Sequence, residues 1–180
     1  MGVKSAPWRW NCGRGHLRLP GLLNKARAFY GMSLSDRMLF IEAFVVLGIA
    51  RAGIALLSFK RLVAGTKSSS VMTLSPEAEA VQLSASRIGR TIGRAARHTP
   101  WNSACLCQGL TARWMLRRRG IRSSLMLGAT MVDDSDHGIA AHAWTVCGDC
   151  VVTGLEGCSD YNLLACFTTE GRTGLRVSAG

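Results

Sequence analysis

Cys105 and His142 are the two residues whose types and positions most directly suggest chemistry. Cys105 lies in the first turn of a well-marked helix, where N–H groups and the helix dipole stabilise a thiolate and can bind an oxyanion. His142 lies among apolar residues on a predicted strand, about 37 residues further along the chain. A thiol within bonding reach of an imidazole forms a nucleophile and its general base. The pair therefore predicts a cysteine nucleophile, and a histidine satisfied inside the core is the alternative.

The other cysteines allow two further arrangements. Cys107 is a fallback nucleophile, although it lies about 200° around the helix from Cys105 at about 100° per residue. Cys147 and Cys150, together with Cys105 and Cys107, would supply four thiolates for zinc. The single residue between Cys105 and Cys107 is a shorter spacing than a usual zinc knuckle has, so we expect neither a metal nor a cofactor.

Three helices are predicted ahead of residue 120. The first begins within 33–36, with Ser35 as its cap, and carries an apolar stripe to Leu57. The second runs from 76 to about 97, with Pro76 in its first turn. Its arginines are spaced three and four residues apart, so they share one face, which we expect to be solvated.

The third helix, Ala104 to Arg119, is the one that positions Cys105. Asn102 or Ser103 is expected to cap its N-terminus, and Gly120 supplies a left-handed stop at its end.

After residue 121 the pattern changes to that of strands. Four strands are predicted, at Ser123–Ala129, Ala140–Cys147, Cys150–Thr153 and Leu163–Thr168. A polar loop at 133–138 separates the first two, and Gly148-Asp149 forms a two-residue hairpin turn. Helices that precede strands favour an α+β fold.

Composition sets limits on the class of protein. The 180 residues are 48% hydrophobic, which allows a real core and excludes a disordered chain. The net charge of +11 suits a polyanion, an anionic membrane face or an acidic peptide. Seven cysteines, an odd number, argue against a secreted disulfide scaffold. The longest uninterrupted apolar run, Ala43–Ala50, is shorter than the roughly 20 residues that span a bilayer. We therefore expect a soluble, cytoplasmic protein.

Five segments, in order, resemble the leader peptidase of lasso-peptide biosynthesis, the B protein in its split form, which has a transglutaminase-like fold. They are Trp101–Leu106, Leu116–Ile121, Leu127–Gly128, Ala141–Trp144 and Val151–Gly154. Residues 34–37 and 42–43 also resemble the N-terminal helical part of that family. A helix-start nucleophile beside a base on a strand is the arrangement of papain-like and transglutaminase-like sites.

The resemblance implies a division of the chain and a mechanism. A transglutaminase-like, papain-like peptidase core at 75–170 would follow an N-terminal helical segment at 25–66 and a flexible basic arm at 1–24. Cys105 would attack the carbonyl at the end of a precursor's leader, with the helix-start N–H as oxyanion donor. His142 would take the thiol proton and pass it to the leaving amine, and water would release the leader.

The resemblance also implies partners. The substrate would be a ribosomally made precursor peptide that carries a leader. Residues 1–80 are predicted to be helical rather than β-rich, so leader recognition is expected from a separate small protein. An ATP-dependent lasso cyclase would be a further partner. A basic nucleic-acid-binding protein is the alternative that the charge allows, but without a recognised motif no nucleic acid is expected.

The family's third catalytic residue, an Asp on the strand after the histidine, has no match here. Val152–Gly154 contains no carboxylate. A two-residue turn predicts Thr153 on the same sheet face as His142, with Asp149 in the turn pointing away. The orienting role is open between Thr153, a backbone carbonyl and a distant acid such as Glu156, and a dyad is equally allowed. A non-catalytic, transglutaminase-like scaffold that binds peptide is therefore an alternative function.

Overall fold

The computed structural model describes residues 9–10, 31–63, 67–69, 79–131 and 138–169, with 9–10 and 67–69 as backbone alone. Most of the predicted arm at 1–24, nearly all of the predicted linker at 65–76 and most of the polar loop at 133–138 lie outside the described residues.

Helices form the first half of the described chain. They are α1 (Leu34–Leu56), the single turn α2 (Phe59–Leu62), α3 (Glu79–Ala96) and α4 (Cys105–Arg118). The three predicted helices are confirmed, although the expected start of the second at Pro76 is outside the described residues. Gly120 has a φ of 69°, so the left-handed stop after α4 is also confirmed.

The predicted caps were wrong. Ser33, not Ser35, caps α1: its hydroxyl accepts a hydrogen bond from the Asp36 N–H at 3.1 Å. The N-cap of α4 is Ala104, which has no side-chain acceptor. The hydroxyl of Ser103 is instead hydrogen-bonded to that of Thr99 at 2.9 Å, because the chain stays extended through Ala104 before the helix begins.

The second half is an antiparallel sheet. Its long strands are β3 (Ser123–Met131), β4 (Ile139–Cys147) and β6 (Asn162–Thr169), with the short β5 (Cys150–Thr153) and two small strands, β1 (Arg9–Trp10) and β2 (Lys67–Ser69). The order is β1-β4-β3-β6-β2, and β5 pairs with β4. Only β1 runs parallel to its partner in this described sheet. The four predicted strands are confirmed, and the fold is α+β.

The two faces of the sheet are packed very differently. The larger core lies between one face and helices α1, α3 and α4, and it includes Leu125, Ala143 and Cys147 from the strands. The smaller core on the other face has four buried members, Met126, Trp144, Val146 and Cys166. Because side chains alternate along a strand, neighbouring residues of β4 belong to different cores.

A β-bulge follows the hairpin turn. Cys147 pairs with Cys150 across the turn, and the register then shifts so that Thr153 pairs with Thr145. An uninterrupted ladder would have paired Thr153 with Trp144, on the face of His142. The prediction that Thr153 shares the face of His142 is therefore wrong, because one extra residue in a strand reverses the faces that follow.

Helix α1 is long and apolar enough, by length and composition, to cross a membrane. The uninterrupted apolar run Ala43–Ala50 is shorter than a bilayer span, but the whole helix stays apolar in spite of Glu42 and Arg51. One side of α1 is nevertheless buried against α3 and α4, as in a core helix. The expected cytoplasmic location stays a prediction.

Candidate active site

Cys105 is the first residue of α4 and is 4% exposed. The first N–H groups of a helix have no partner within the helix, and the Ala104 methyl group cannot cap them. This end of α4 therefore combines a thiol with a partial positive charge and N–H donors, which favours a thiolate or an oxyanion.

Helix α4 is held tightly against the sheet. The hydroxyl of Thr145 donates to the carbonyl oxygen of Gly109 at 3.1 Å, and a Cβ at Gly109 would lie 2.7 Å from Leu125. One turn further along, the buried Arg113 donates to the Thr169 hydroxyl and to the carbonyl of Leu62, both at 2.9 Å. The helix thus crosses from β4 and β3 toward β6 as it proceeds.

Cys105 is at the N-terminal end of α4, which is the end farther from β6. Cys105 precedes Gly109 by one turn, about 5.4 Å, on the same side of the helix. Helix α4 contacts β5 as well as β4, so its first turn lies on the side of the outer edge of β4, where β5 pairs. Cys105 belongs to the same core as Ala143, the residue after His142.

His142 lies on the other face of β4 and is 7% exposed. Its imidazole is stacked against Tyr161, with ring centroids 5.1 Å apart, and against Trp144 at 5.9 Å. Its Nε2 atom lies 2.9 Å from the carbonyl oxygen of Gly154, which follows β5. Two aromatic rings and one hydrogen bond therefore fix the plane and the rotation of the imidazole.

The bond to Gly154 also determines the tautomer. A carbonyl oxygen only accepts a hydrogen bond, so Nε2 must carry the proton. In the neutral ring Nδ1 then keeps its lone pair. Nδ1 is thus the acceptor atom of the neutral ring, and a backbone carbonyl orients the imidazole.

Gly154 can hold this position because it has no side chain. Its φ is 77°, a left-handed conformation. A Cβ there would lie 2.6 Å from the carbonyl oxygen of Ala143 and 2.9 Å from Cβ of Trp144. A carboxylate at this position, as the resembling family has nearby, would not fit without moving β4 or the following turn.

Neither carboxylate that could take the orienting role is buried with the ring. Asp149, in the hairpin turn, and Glu156 are both exposed. The hydroxyl of Thr153 is buried without a hydrogen-bond partner among the described residues, on the face that α4 covers.

Cys107 does not fit the role of nucleophile. Its thiol points toward α1 and donates to the Leu47 carbonyl at 3.4 Å. Burial raises the pKa of this thiol to about 11, so it is protonated at neutral pH. The four thiolates of the zinc alternative are likewise not assembled, because Cys107 faces α1 while Cys147 and Cys150 pair across the hairpin. Among the described residues, no group of three or more His, Cys, Asp or Glu is placed to hold a metal ion.

Sequence reasoning named Cys105 and His142 but missed Gly154 and Tyr161 as partners of the imidazole. Gly154 could have been suspected from sequence, because it lies in Val152–Gly154, the segment where the family's Asp has no match. Tyr161 gave none, because its position depends on the irregular segment between β5 and β6. The structure brings His142 together with Gly154, Trp144 and Tyr161, and it places Cys105 in the other core. Contact between sulfur and imidazole stays a prediction.

A comparison with protein families finds one match: the model of the transglutaminase-like superfamily covers residues 45–165. No curated protein and no solved structure matches the chain. The match confirms the transglutaminase-like part of the resemblance and begins inside α1. The lasso-specific part, like the predicted domain boundaries, stays a prediction.

Proposed function

This chain belongs to the transglutaminase-like superfamily, which includes cysteine peptidases, and we propose that it is a leader peptidase acting on a ribosomally made lasso precursor. Cys105 is the proposed nucleophile and His142 its general base. The reaction needs no metal or cofactor in this proposal.

The first half of the reaction forms a thioester. Nδ1 of His142 takes the proton of the Cys105 thiol, and the sulfur attacks the carbonyl carbon of the last leader residue. The first N–H groups of α4 bind the oxygen as it becomes negative. When the C–N bond breaks, the imidazolium gives its proton to the leaving amine, which is the new N-terminus of the core peptide.

The second half restores the enzyme. His142 takes a proton from a water molecule, whose oxygen attacks the thioester carbonyl. The C–S bond then breaks, the leader departs with a carboxyl group, and the sulfur recovers a proton from the imidazolium. The carbonyl of Gly154 accepts the Nε2–H bond throughout and stabilises the imidazolium that forms in each half.

One observation carries the proposal: the hydrogen bond from Nε2 of His142 to Gly154 at the edge of β4 toward which Cys105 projects. It leaves Nδ1 as the only basic atom of the neutral ring. That lone pair is the atom that the proposed proton transfer from Cys105 requires.

The proposed partners follow from the proposed reaction. They are the precursor with its leader, a separate leader-recognition protein, and an ATP-dependent cyclase that closes the ring of the released peptide. We place the protein in the cytoplasm and expect no nucleic acid as a partner. Arg87, on the arginine face of α3, is bonded to Asp36 at 2.6 Å, and the other arginines of that face are exposed as predicted.

The test is cleavage of a precursor encoded beside this chain's gene, with its recognition protein added. Wild type is expected to release the leader, and Cys105→Ser and His142→Ala to lose at least about a thousandfold in rate. Cys107→Ser is the matched control and retains activity, because that thiol faces α1. Full activity of either site variant would contradict the proposal.

A second function is favoured by two observations: Cys105 and His142 lie on opposite faces of the sheet, and none of the described residues bonds a carboxylate to His142. The chain would then be a scaffold that binds the precursor without cutting it. In that case wild type and Cys105→Ser bind the precursor with equal affinity, measured by fluorescence anisotropy, and neither releases a leader.

A further inference from the structure

The outward side of α1 is an unusually apolar surface. Six aliphatic side chains along it have exposed fractions between 48% and 81%: Leu34, Met38, Ile41, Val45, Ile49 and Leu56. Their spacings of three, four and seven residues put them on one side of the helix, opposite the side that packs in the core. We call these six residues the α1 stripe. At about 1.5 Å per residue the stripe is roughly 33 Å long, far more than a scatter of single surface residues.

Basic groups border the stripe. A groove of about 680 Å³ runs beside it, lined by Met38 and Ile41 on the apolar side and by the guanidinium groups of Arg87, Arg118 and Arg119. One carboxylate, that of Glu42, also lines the groove and is bonded to Arg119 at 2.6 Å. Arg118 lies 3.3 Å from the same carboxylate, and Arg87 is paired with Asp36 at 2.6 Å. Three guanidinium groups against two carboxylates leave one positive charge in excess.

We propose that the α1 stripe and this groove bind the surface of an anionic membrane, with the stripe at the acyl boundary and lipid phosphates in the groove. An apolar helix side beside basic groups is the pattern of a helix that lies in the plane of a membrane interface. The net charge of +11 supplies long-range attraction to anionic lipid.

The fold determines how α1 meets the membrane. Leu39, Ala43 and Leu47, on its other side, are buried in the core with α3 and α4. A bilayer-spanning α1 would have to leave that core, whereas a helix lying on the surface keeps it. The stripe contains aliphatic side chains, which suit the acyl boundary, and basic groups border it. These features favour lipid over a protein partner.

Flotation with unilamellar vesicles tests the proposal on the full chain. Vesicles of phosphatidylcholine with about one third phosphatidylglycerol are expected to bind the protein at low salt, and phosphatidylcholine alone to bind it at least about tenfold more weakly. The double variant Met38→Ser/Val45→Ser is expected to lower the partition coefficient at least about tenfold. Arg87→Gln/Arg118→Gln is expected to remove most of the preference for the anionic vesicles.

The matched control is Met131→Ser/Leu164→Ser, which removes two exposed aliphatic side chains from the sheet. It is expected to bind as wild type does, and so is Cys105→Ser, since this binding does not involve cleavage. Absence of flotation with anionic vesicles would overturn the proposal, as would an equal loss in the control. Dimers in size-exclusion chromatography that Met38→Ser/Val45→Ser dissociates, without flotation, would identify the stripe as a contact between two copies instead.

Discussion

The two faces of the sheet differ in the residues that they hold. The face toward the helices holds the large core, the tightly packed α4 and the buried guanidinium of Arg113. The opposite face holds the smaller core of four buried apolar side chains and the imidazole of His142, which is stacked on two aromatic rings. The first face accounts for most of the buried apolar surface and hence for most of the stability. The second holds one titratable ring in a fixed orientation.

The proposed site involves both faces at the outer edge of β4. A thiol that projects from α4 reaches the sheet on the packed face, and the imidazole reaches the same strand on the other face. The segment after β5 connects them, because Gly154 leaves the bulged strand and passes beside Ala143 and Trp144. Changes on the packed face should therefore alter stability, and changes at Gly154 or Tyr161 should alter the imidazole.

The largest loss in the free energy of unfolding is expected on the packed face, at Arg113. Arg113→Met removes the donors to Leu62 and Thr169 and leaves a buried carbonyl oxygen unpaired, so the free energy of unfolding should fall by about 2–3 kcal/mol. Urea unfolding measures it. Arg117→Met, one turn later and exposed, is the control and should change the same quantity by less than about 0.5 kcal/mol. Similar losses in both variants would refute the packing account.

Gly154→Ala is expected to be nearly as costly. Its Cβ would contact the Ala143 carbonyl in a left-handed conformation, which we expect to destabilise the fold by about 2 kcal/mol and to displace the carbonyl that binds His142. Gly138→Ala has open space around its Cβ and is the matched control. Thermal unfolding gives the stability, and the NMR shifts of the His142 ring nitrogens report the tautomer. A Gly154→Ala protein with unchanged stability and tautomer would show that this approach is unimportant.

Tyr161→Leu tests the second face of the sheet, where Tyr161 is stacked on His142. The loss of ring stacking should cost about 1 kcal/mol in stability, because an aromatic pair is worth about that much beyond its buried area. The larger consequence should be a lower kcat with little change in KM, since the ring of His142 becomes free to rotate. Tyr161→Phe keeps the stacking and should restore the rate. If Tyr161→Phe is as slow as Tyr161→Leu, stacking is not the reason.

The smallest change in stability is expected at the contact between α1 and the end of α4. The hydrogen bond from Arg119 lowers the pKa of Glu42 below its usual 4.5, against an opposing effect of burial. The contribution of Glu42 to stability is therefore present above pH 4.5 and is lost as the pH falls through the lower, folded-state pKa. We expect a loss of about 1 kcal/mol or less. Glu42→Gln should flatten this part of the pH–stability curve, and an unchanged curve would contradict the assignment.

The helices, the strands and the Gly148-Asp149 turn could be predicted because periodicity and turn residues act locally. The bulge in β5 could not, since it goes with a tertiary contact: Gly89 of α3 packs directly on the carbonyl of Val152. That one shift moved Thr153 to the other face and brought Gly154 to His142. Cys105 and His142 are candidates from sequence alone, but the group that orients the imidazole depends on this non-local packing.

The exposed surface of α1 also depends on non-local packing. Periodicity along α1 predicted an apolar helix, but it could not show which side packs in the core and which six residues stay exposed. That division depends on where α3 and α4 dock.

The central claim is that the imidazole of His142 acts on the sulfur of Cys105, and alkylation of Cys105 tests it without a substrate. Iodoacetamide modification, followed across pH by mass spectrometry of the Cys105 peptide, reports the fraction of thiolate. We predict that His142→Ala slows the reaction at neutral pH at least about tenfold and moves its pH midpoint upward. Identical rates and midpoints in wild type and His142→Ala, with both proteins folded, would contradict the account.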